Sequence, residues 1–272
     1  MQILIPILVL LFAGALCALL LTLASVFFAV KEDEKAAAIR ECLPGVNCGS
    51  CGYSGCDAYA KALSEGKATA TNLCTPGGDG VSKDISEILG VEHVDVVEMV
   101  AYVACNGACL PESRKYDYQG PKTCEAANMS YSGDRFCTFA CLGYGDCVRV
   151  CPRDAICINE NNIAVVDPRK CIGCGLCVKE CPNGLLSLIR DTSRVTVKCN
   201  NHEKGADVRK HCKNGCIACG KCEKNCPEGA IKVIDNLAVI DYDKCTGCGI
   251  CKKVCPVKCI HEGNFICGAH FE

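Results

Sequence analysis

The sequence predicts an α+β protein in which a long apolar helix precedes a small, mainly helical domain and two tandem modules built on β-hairpins. Three observations carry this prediction. Residues 3–30 contain no charged side chain, the segment 151–182 repeats as 226–256, and thirty cysteines of 272 residues recur at regular spacings. Regular cysteine spacing behind an apolar helix indicates small metal-dependent modules rather than one large core.

The N-terminal apolar run predicts a membrane anchor over 1–30. At about 1.5 Å per residue, a helix over this run exceeds the ~30 Å hydrocarbon core, so it would span and contact membrane lipid. The alternative, a cleaved signal peptide, needs a basic start and a shorter run, and no Lys or Arg precedes this one. Basic residues begin at Lys31. We therefore expect a single-pass protein of the cell membrane, with the bulk of the chain on the cytoplasmic side.

Two C-x2-C-x2-C-x3-C-P runs, at 216–227 and 245–256, predict a pair of 4Fe–4S clusters. In this pattern three thiolates of one run and the last thiolate of the other bind each cluster. A zinc site, which also uses C-x2-C pairs, is the alternative. The predicted ligand sets are Cys216, Cys219, Cys222 and Cys255 for one cluster, and Cys226, Cys245, Cys248 and Cys251 for the other.

The upstream copy of this module departs from the pattern at one ligand. Tyr144 stands where Cys219 stands in the downstream copy, and Cys137 lies upstream of the first aligned cysteine. We predict that Cys137 replaces the missing donor, whereas Cys212, at the matching place downstream, is spare. The alternative is a three-cysteine 3Fe–4S centre. The predicted sets are Cys137, Cys141, Cys147 and Cys181, and Cys151, Cys171, Cys174 and Cys177.

A separate C-x2-C-x4-C-x17-C array predicts one more 4Fe–4S cluster. Its glycines allow backbone amides to approach sulfur, and the segment 57–65 between its last two cysteines reads as a short helix with Gly66 as C-cap. Zinc or a disulfide pair is the alternative on spacing alone. Five clusters are thus expected, with three as a minimum, and the ligands of this one are Cys48, Cys51, Cys56 and Cys74.

The cysteine arrays also suggest where domains begin and end. We expect an anchor over 1–30, a single-cluster domain over 31–80, a connector over 81–130, and bicluster ferredoxin-like domains over 131–195 and 196–272. The segment 82–104 reads as two short helices broken near Gly90, and each bicluster domain carries short apolar strands at 155–158, 163–166, 230–234 and 237–240. The roles of five cysteines, and whether a sixth cluster exists, stay open: Cys105, Cys109, Cys124, Cys199 and Cys212.

Composition excludes several functions. The net charge of −2 gives no broad basic surface, so no nucleic acid is expected as a partner. No G-x-G-x-x-G follows a strand, so we expect partner subunits to bind NAD. No side chain reads as a catalytic acid, base or nucleophile, and thiolates free for iron require a reducing compartment.

The order of apolar span, isolated array and ferredoxin runs resembles the B subunits of Rnf complexes, which are membrane-bound, ion-translocating ferredoxin:NAD oxidoreductases. The motif C-x3-C-L-G-Y-G-D-C-x3-C-P at 137–152 is part of that resemblance. The resemblance implies an electron-transfer subunit of a multi-subunit translocase, without a catalytic site of its own. It also implies soluble ferredoxin as donor, and flavin-bearing, NAD-binding and integral membrane subunits as partners.

The resemblance leaves open whether Na⁺ or H⁺ is moved, the cluster potentials and the direction of electron flow. Two other classes are alternatives. One is a polyferredoxin component of a different membrane enzyme, such as a hydrogenase or a heterodisulfide reductase-like complex, which usually lacks the isolated array. The other is a corrinoid-linked iron–sulfur protein, which needs a large corrinoid-binding domain. A structural zinc protein is a third class.

Overall fold

The computed structural model describes residues 4–27, 33–107, 113–193 and 195–262. Helix α1 covers Leu4–Phe27. Within the described part of the chain, no helix proves long and apolar enough to cross a membrane. This finding contradicts the transmembrane helix that was part of the predicted fold class. The predicted single-pass topology depends on that helix and is not supported.

The N-terminal domain is mainly helical. It contains α2 (Glu34–Cys42), α3 (Cys56–Ser64), a 3-10 turn (Thr75–Gly77) and α4 (Gly78–Leu89). Apolar side chains from three of these helices form its core, with Ile39, Tyr59 and Ile85 at most 1% exposed. The predicted helix between the last two cysteines of the isolated array is confirmed as α3.

The segment after α4 is extended, not helical. Gly90 ends α4 in the left-handed conformation that lacks a Cβ penalty. Strand β1 (Met99–Val103) follows and pairs antiparallel with β4 (Leu186–Arg190). The predicted second helix of this segment is therefore wrong. Its β-branched and aromatic residues suit a strand, and the partner strand that fixes the choice lies far downstream in the chain.

The two bicluster modules share one plan. In the first, β2 (Ile156–Ile158) pairs with β3 (Ala164–Val166), and in the second, β6 (Ile231–Ile234) pairs with β7 (Leu237–Ile240). These confirm the predicted strands. Each module adds a second antiparallel pair, β1 with β4 in the first and β5 (Val195–Val197) with β8 (Ile260–Glu262) in the second. Cysteines of the loops pack against the side chains of these strand pairs.

Short helices follow the cysteine loops of both modules. Four of them begin after a glycine with φ between 68° and 82°, a conformation that side chains disfavour. The left-handed glycine ends each cysteine loop and allows the following residues to begin a helix. The four are α6 (Asp146–Arg149), α7 (Leu176–Glu180), α9 (Lys221–Lys224) and α10 (Ile250–Val254); α5 (Cys124–Met129) precedes them and α8 (Gly205–His211) lies between the modules.

Polar contacts join the domains directly. The Lys179 ammonium donates to the carbonyl of Cys48 at 2.6 Å, linking the first module to the N-terminal domain. Between the two modules, Arg190 pairs with Asp243 at 2.7 Å, and Asn106 lies 3.0 Å from the His261 ring nitrogen. Each module has its own small apolar core that includes several of its cysteines. Such cores rely on bound metal for much of their stability.

Candidate metal centres

The isolated array closes around one cavity in the N-terminal domain. Cys48, Cys51, Cys56 and Cys74 all line it, together with Tyr59. Asn47 accepts the N–H of Cys56 at 2.8 Å, which fixes the start of α3 at the cavity wall. Burial, and to a smaller extent the neighbouring thiols of the array, raise the pKa of the Cys74 thiol to about 11.

In the first bicluster module, Cys151, Cys171, Cys174 and Cys177 line a second cavity. Backbone N–H groups point at two of its sulfurs. Ala155 donates to Cys151 at 3.3 Å, and Ala101, on strand β1, donates to Cys171 at 3.4 Å. Hydrogen bonds of this kind stabilise thiolate charge and are one of the levers on cluster potential.

A third cavity holds three of the four thiols predicted for it, and a different fourth. Cys141, Cys147 and Cys181 line it as expected, but the remaining thiol is Cys124. Cys137, the predicted replacement for the missing donor, does not line this cavity. Ala164 and Leu185 donate to Cys141 and Cys181 at 3.5 and 3.4 Å.

Cys124 is held at this cavity by a buried carboxylate. Asp146 is 3% exposed and accepts the N–H of Cys124 at 2.8 Å and that of Glu125 at 3.0 Å. Burial raises the pKa of the Cys124 thiol, while backbone N–H groups of Asp146, Tyr144 and Gly145 oppose that rise. No spacing signal in the sequence marks this residue, because its position depends on a contact across more than twenty residues.

Tyr144 occupies the position at which the repeat would place a cysteine ligand, and its side chain has a different role. Its hydroxyl donates to the Asp134 carboxylate at 3.0 Å, and its ring lies 6.0 Å from that of Tyr118. Asp134 is fully buried and pairs with Arg114 and Arg135. The Tyr144 side chain thus belongs to a buried polar network and does not line the cavity, whereas Cys124 does.

The second module contains the two remaining predicted sets. Cys226, Cys245, Cys248 and Cys251 line one cavity. In the other set, Cys222 lies close enough to Cys216 and Cys219 to interact with their charges. Cys216 interacts in the same way with Cys255. Cys259 intrudes on this set, with its sulfur 3.7 Å from that of Cys255. Hydrogen bonding with the Cys259 thiol, whose single S–H can serve one sulfur at a time, lowers the pKa of Cys255 and that of Cys216.

Cys137 lies in a fifth, larger cavity between the two modules. This cavity measures about 360 Å³ and is also lined by Cys105, Cys199 and Cys212. Three of these four, Cys105, Cys199 and Cys212, are cysteines whose roles the sequence left open, whereas Cys137 was predicted as a ligand of the third cavity. Cys109 lies outside the described residues.

The spacing of the sulfurs distinguishes clusters from single ions. A tetrahedral Zn²⁺ with sulfur ligands at roughly 2.3 Å requires them within about 4 Å of one another. In the described ranges, the only group of three or more Cys, His, Asp or Glu ligand atoms that approach within 4.8 Å is Asp79, His93 and Asp95, which is exposed. The sulfurs of the described cysteine quartets therefore do not approach one another as closely as the four ligands of a single tetrahedral ion would.

Comparisons with known proteins agree with this chemistry. Three family models match the chain: "Putative Fe-S cluster" at 43–76, "4Fe-4S binding domain" at 164–187 and "4Fe-4S dicluster domain" at 215–259. The chain is 42% identical to the B subunit of the Na⁺-translocating ferredoxin:NAD⁺ oxidoreductase complex of Acetobacterium woodii, over 95% of this chain and 77% of the relative.

Two further relatives cover most of both chains. The B subunit of the proton-translocating ferredoxin:NAD⁺ oxidoreductase complex of Clostridium ljungdahlii is 40% identical over 85% of this chain and 82% of its own length. The B subunit of the ion-translocating oxidoreductase complex of Methanosarcina acetivorans is 41% identical over 85% of this chain and 88% of its own length. The chain therefore belongs to the B subunits of the Rnf family of ion-translocating ferredoxin:NAD oxidoreductase complexes, as a 4Fe–4S electron-transfer subunit.

Proposed function

We propose that this subunit accepts electrons from a soluble ferredoxin and relays them to partner subunits through five 4Fe–4S clusters. The observation that carries the proposal is the gathering of cysteine quartets around separate cavities, with backbone N–H groups that donate to their sulfurs. When bound, such a cluster takes up and releases one electron at a time. The proposed quartets are Cys48, Cys51, Cys56 and Cys74; Cys124, Cys141, Cys147 and Cys181; Cys151, Cys171, Cys174 and Cys177; Cys216, Cys219, Cys222 and Cys255; and Cys226, Cys245, Cys248 and Cys251.

The protein's own contribution is to fix thiols, exclude water and balance charge. Leu185 and Ile156 are 2% and 5% exposed and cover the cavities of the first module. Ile231 covers the second module in the same way. A drier site strengthens each N–H···S hydrogen bond, because the effective dielectric is lower there. We also propose that the first bicluster domain includes 99–103, since β1 completes its sheet pair with β4.

Electron entry is proposed at the second module. Of the quartet cysteines that the structure describes, Cys219 and Cys248 are the exposed ones. Lys221 and Lys224 are exposed on α9, directly after Cys219. An acidic ferredoxin would meet a basic surface beside the most accessible thiols, which favours fast encounter.

Partner subunits are proposed to bind the flavin and NAD. The sheets of the described residues are all two-stranded and antiparallel, whereas dinucleotide folds use an extended parallel sheet. We further propose that the subunit works on the cytoplasmic face of a membrane-associated complex, since its many free thiols require a reducing compartment.

Iron analysis tests the proposed function. The chain, purified anaerobically and reconstituted, is expected to carry at least roughly twenty iron atoms and as many acid-labile sulfides, four for each of five clusters. Dithionite should bleach its visible absorption, and reduced ferredoxin should do the same on mixing. Zinc in place of iron and sulfide, or clusters that ferredoxin does not reduce, would rule the proposal out.

The docking surface is tested by charge reversal. The double substitution Lys221→Glu and Lys224→Glu is expected to slow reduction by ferredoxin by about tenfold at low salt, because steering is lost. Raising the salt should slow the unchanged protein toward the rate of the variant. Lys83→Glu, on α4 of the N-terminal domain, is the control and should leave the rate unchanged. Equal rates for both variants, with iron content intact, would place the entry point elsewhere.

A further inference from the structure

The 360 Å³ cavity between the modules gathers thiols from four separate parts of the chain. Cys105 follows β1, Cys137 precedes the first ferredoxin run, Cys199 follows β5 and Cys212 ends α8. No local motif requires these four to meet, and the tertiary fold alone brings them together. None of them belongs to the five quartets proposed above.

The sulfurs of this cavity already accept hydrogen bonds, as those of the other quartets do. The N–H of Cys216 donates to Cys199 at 3.2 Å, and the Asn201 amide donates to Cys137 at 3.3 Å. Asn201 is 2% exposed, and its side-chain oxygen accepts the N–H of Glu203 at 2.6 Å, which fixes its orientation. Backbone N–H groups of Cys141 and Gly107 act on Cys105. Donors arranged in this way stabilise thiolates, the form that binds iron.

The separation of the sulfurs fits a multinuclear group. A Cβ atom built on Gly107 would lie 3.8 Å from the Cys105 sulfur and 3.8 Å from the Cys212 sulfur. The Cys105 and Cys212 sulfurs are therefore separated by at most twice that distance. The four sulfurs are nevertheless not within 4.8 Å of one another, which a single tetrahedral ion would need. Gly107 leaves open the space between them.

The charge of the lining favours an anionic group. The ammonium-bearing side chains of Lys198 and Lys213 line the cavity. A cluster with four thiolate ligands carries net negative charge, so basic side chains around it offset part of the cost of burying that charge.

We propose that Cys105, Cys137, Cys199 and Cys212 hold a sixth 4Fe–4S cluster that connects the two bicluster modules. The inference rests on the proposed function and extends it. Cys105 contacts the backbone of Cys141, a ligand of the first module, and Cys199 contacts that of Cys216, a ligand of the second. At the other end of the first module, Cys174 lies close enough to Cys48 of the isolated array for their charges to interact. With the sixth quartet, the thiol sets form a continuous row from the N-terminal domain to the exposed end of the second module.

The test is iron and sulfide content of single and double variants of the full chain. Cys105→Ala and Cys199→Ala are each expected to lower iron by about four atoms per chain, from roughly twenty-four. The double variant should lose the same four, because both thiols serve one site. Cys157→Ala, at a half-buried cysteine of β2 that lines none of these cavities, is the control and should keep all the iron.

The outcomes separate this inference from the proposed function. Roughly twenty iron atoms in the unchanged protein and in all variants would overturn the sixth cluster and leave the five intact. A loss of about eight in the double variant would also overturn it, since the two thiols would then serve different sites. A variant that fails to fold would lose far more than four. Anaerobic alkylation of the unchanged native protein then decides, since bound cluster should protect Cys105, Cys137, Cys199 and Cys212 while Cys157 reacts, and full labelling of the four would overturn the proposal. Absence of iron and sulfide altogether would instead remove the proposed function.

Discussion

Replacing Cys124 by alanine is expected to remove one whole cluster, about four iron atoms per chain, from the first bicluster module. The reason is geometric: Cys124 shares its cavity with Cys141, Cys147 and Cys181, and Asp146 fixes its backbone there. A cubane that lacks one thiolate in a dry cavity is exposed to loss of iron or of the whole cluster. Iron and sulfide analysis with electron paramagnetic resonance of the reduced protein measures the loss.

The same substitution separates the two ligand assignments for this site. If Cys137 were the fourth ligand, as spacing alone predicts, Cys124→Ala would keep all its iron. The double variant Cys124→Ala and Cys137→Ala is expected to lose about eight iron atoms, because the two thiols line different cavities. Cys157→Ala again serves as the control. Unchanged iron in Cys124→Ala would restore Cys137 as the ligand.

The second large effect is expected from Asp134→Ala, which should destabilise the first module by about 3–5 kcal/mol. Asp134 is 0% exposed and lies 3.1 Å from the Arg114 guanidinium and 3.5 Å from that of Arg135, itself 1% exposed. Removing the carboxylate takes away an acceptor and a negative charge that lie directly beside both guanidinium groups. It also removes the acceptor of the Tyr144 hydroxyl.

A graded series checks this prediction by the urea midpoint of the visible absorption, under anaerobic conditions. Tyr144→Phe removes one hydrogen bond to a charged group and should cost about 1.5–3 kcal/mol. Asp243→Ala removes an exposed ion pair with Arg190 and should cost less than about 1 kcal/mol. If Asp134→Ala were no more harmful than Asp243→Ala, the buried network would not hold this module together.

Local spacing was enough to predict much of this protein. Each cubane-type run, and the isolated array at 48–74, lies within a stretch of roughly thirty residues or fewer, because a tight loop must supply several ligands to one metal group. The strands of both hairpins are equally local in sequence. The family resemblance, and with it the electron-transfer function, followed from the order of those arrays. The N-terminal anchor was the clear failure, since an apolar run in the sequence did not yield a spanning helix within the described residues.

Only the tertiary structure decided which distant cysteines meet. Cys124 reaches its cavity through a carboxylate twenty-two positions away in the chain, and β1 becomes a strand because β4 offers it backbone partners. The quartet of Cys105, Cys137, Cys199 and Cys212 exists only once both modules are in place. Sequence spacing records what a single loop can bind. A site assembled from four loops leaves no such record, because its distances are set by packing between domains.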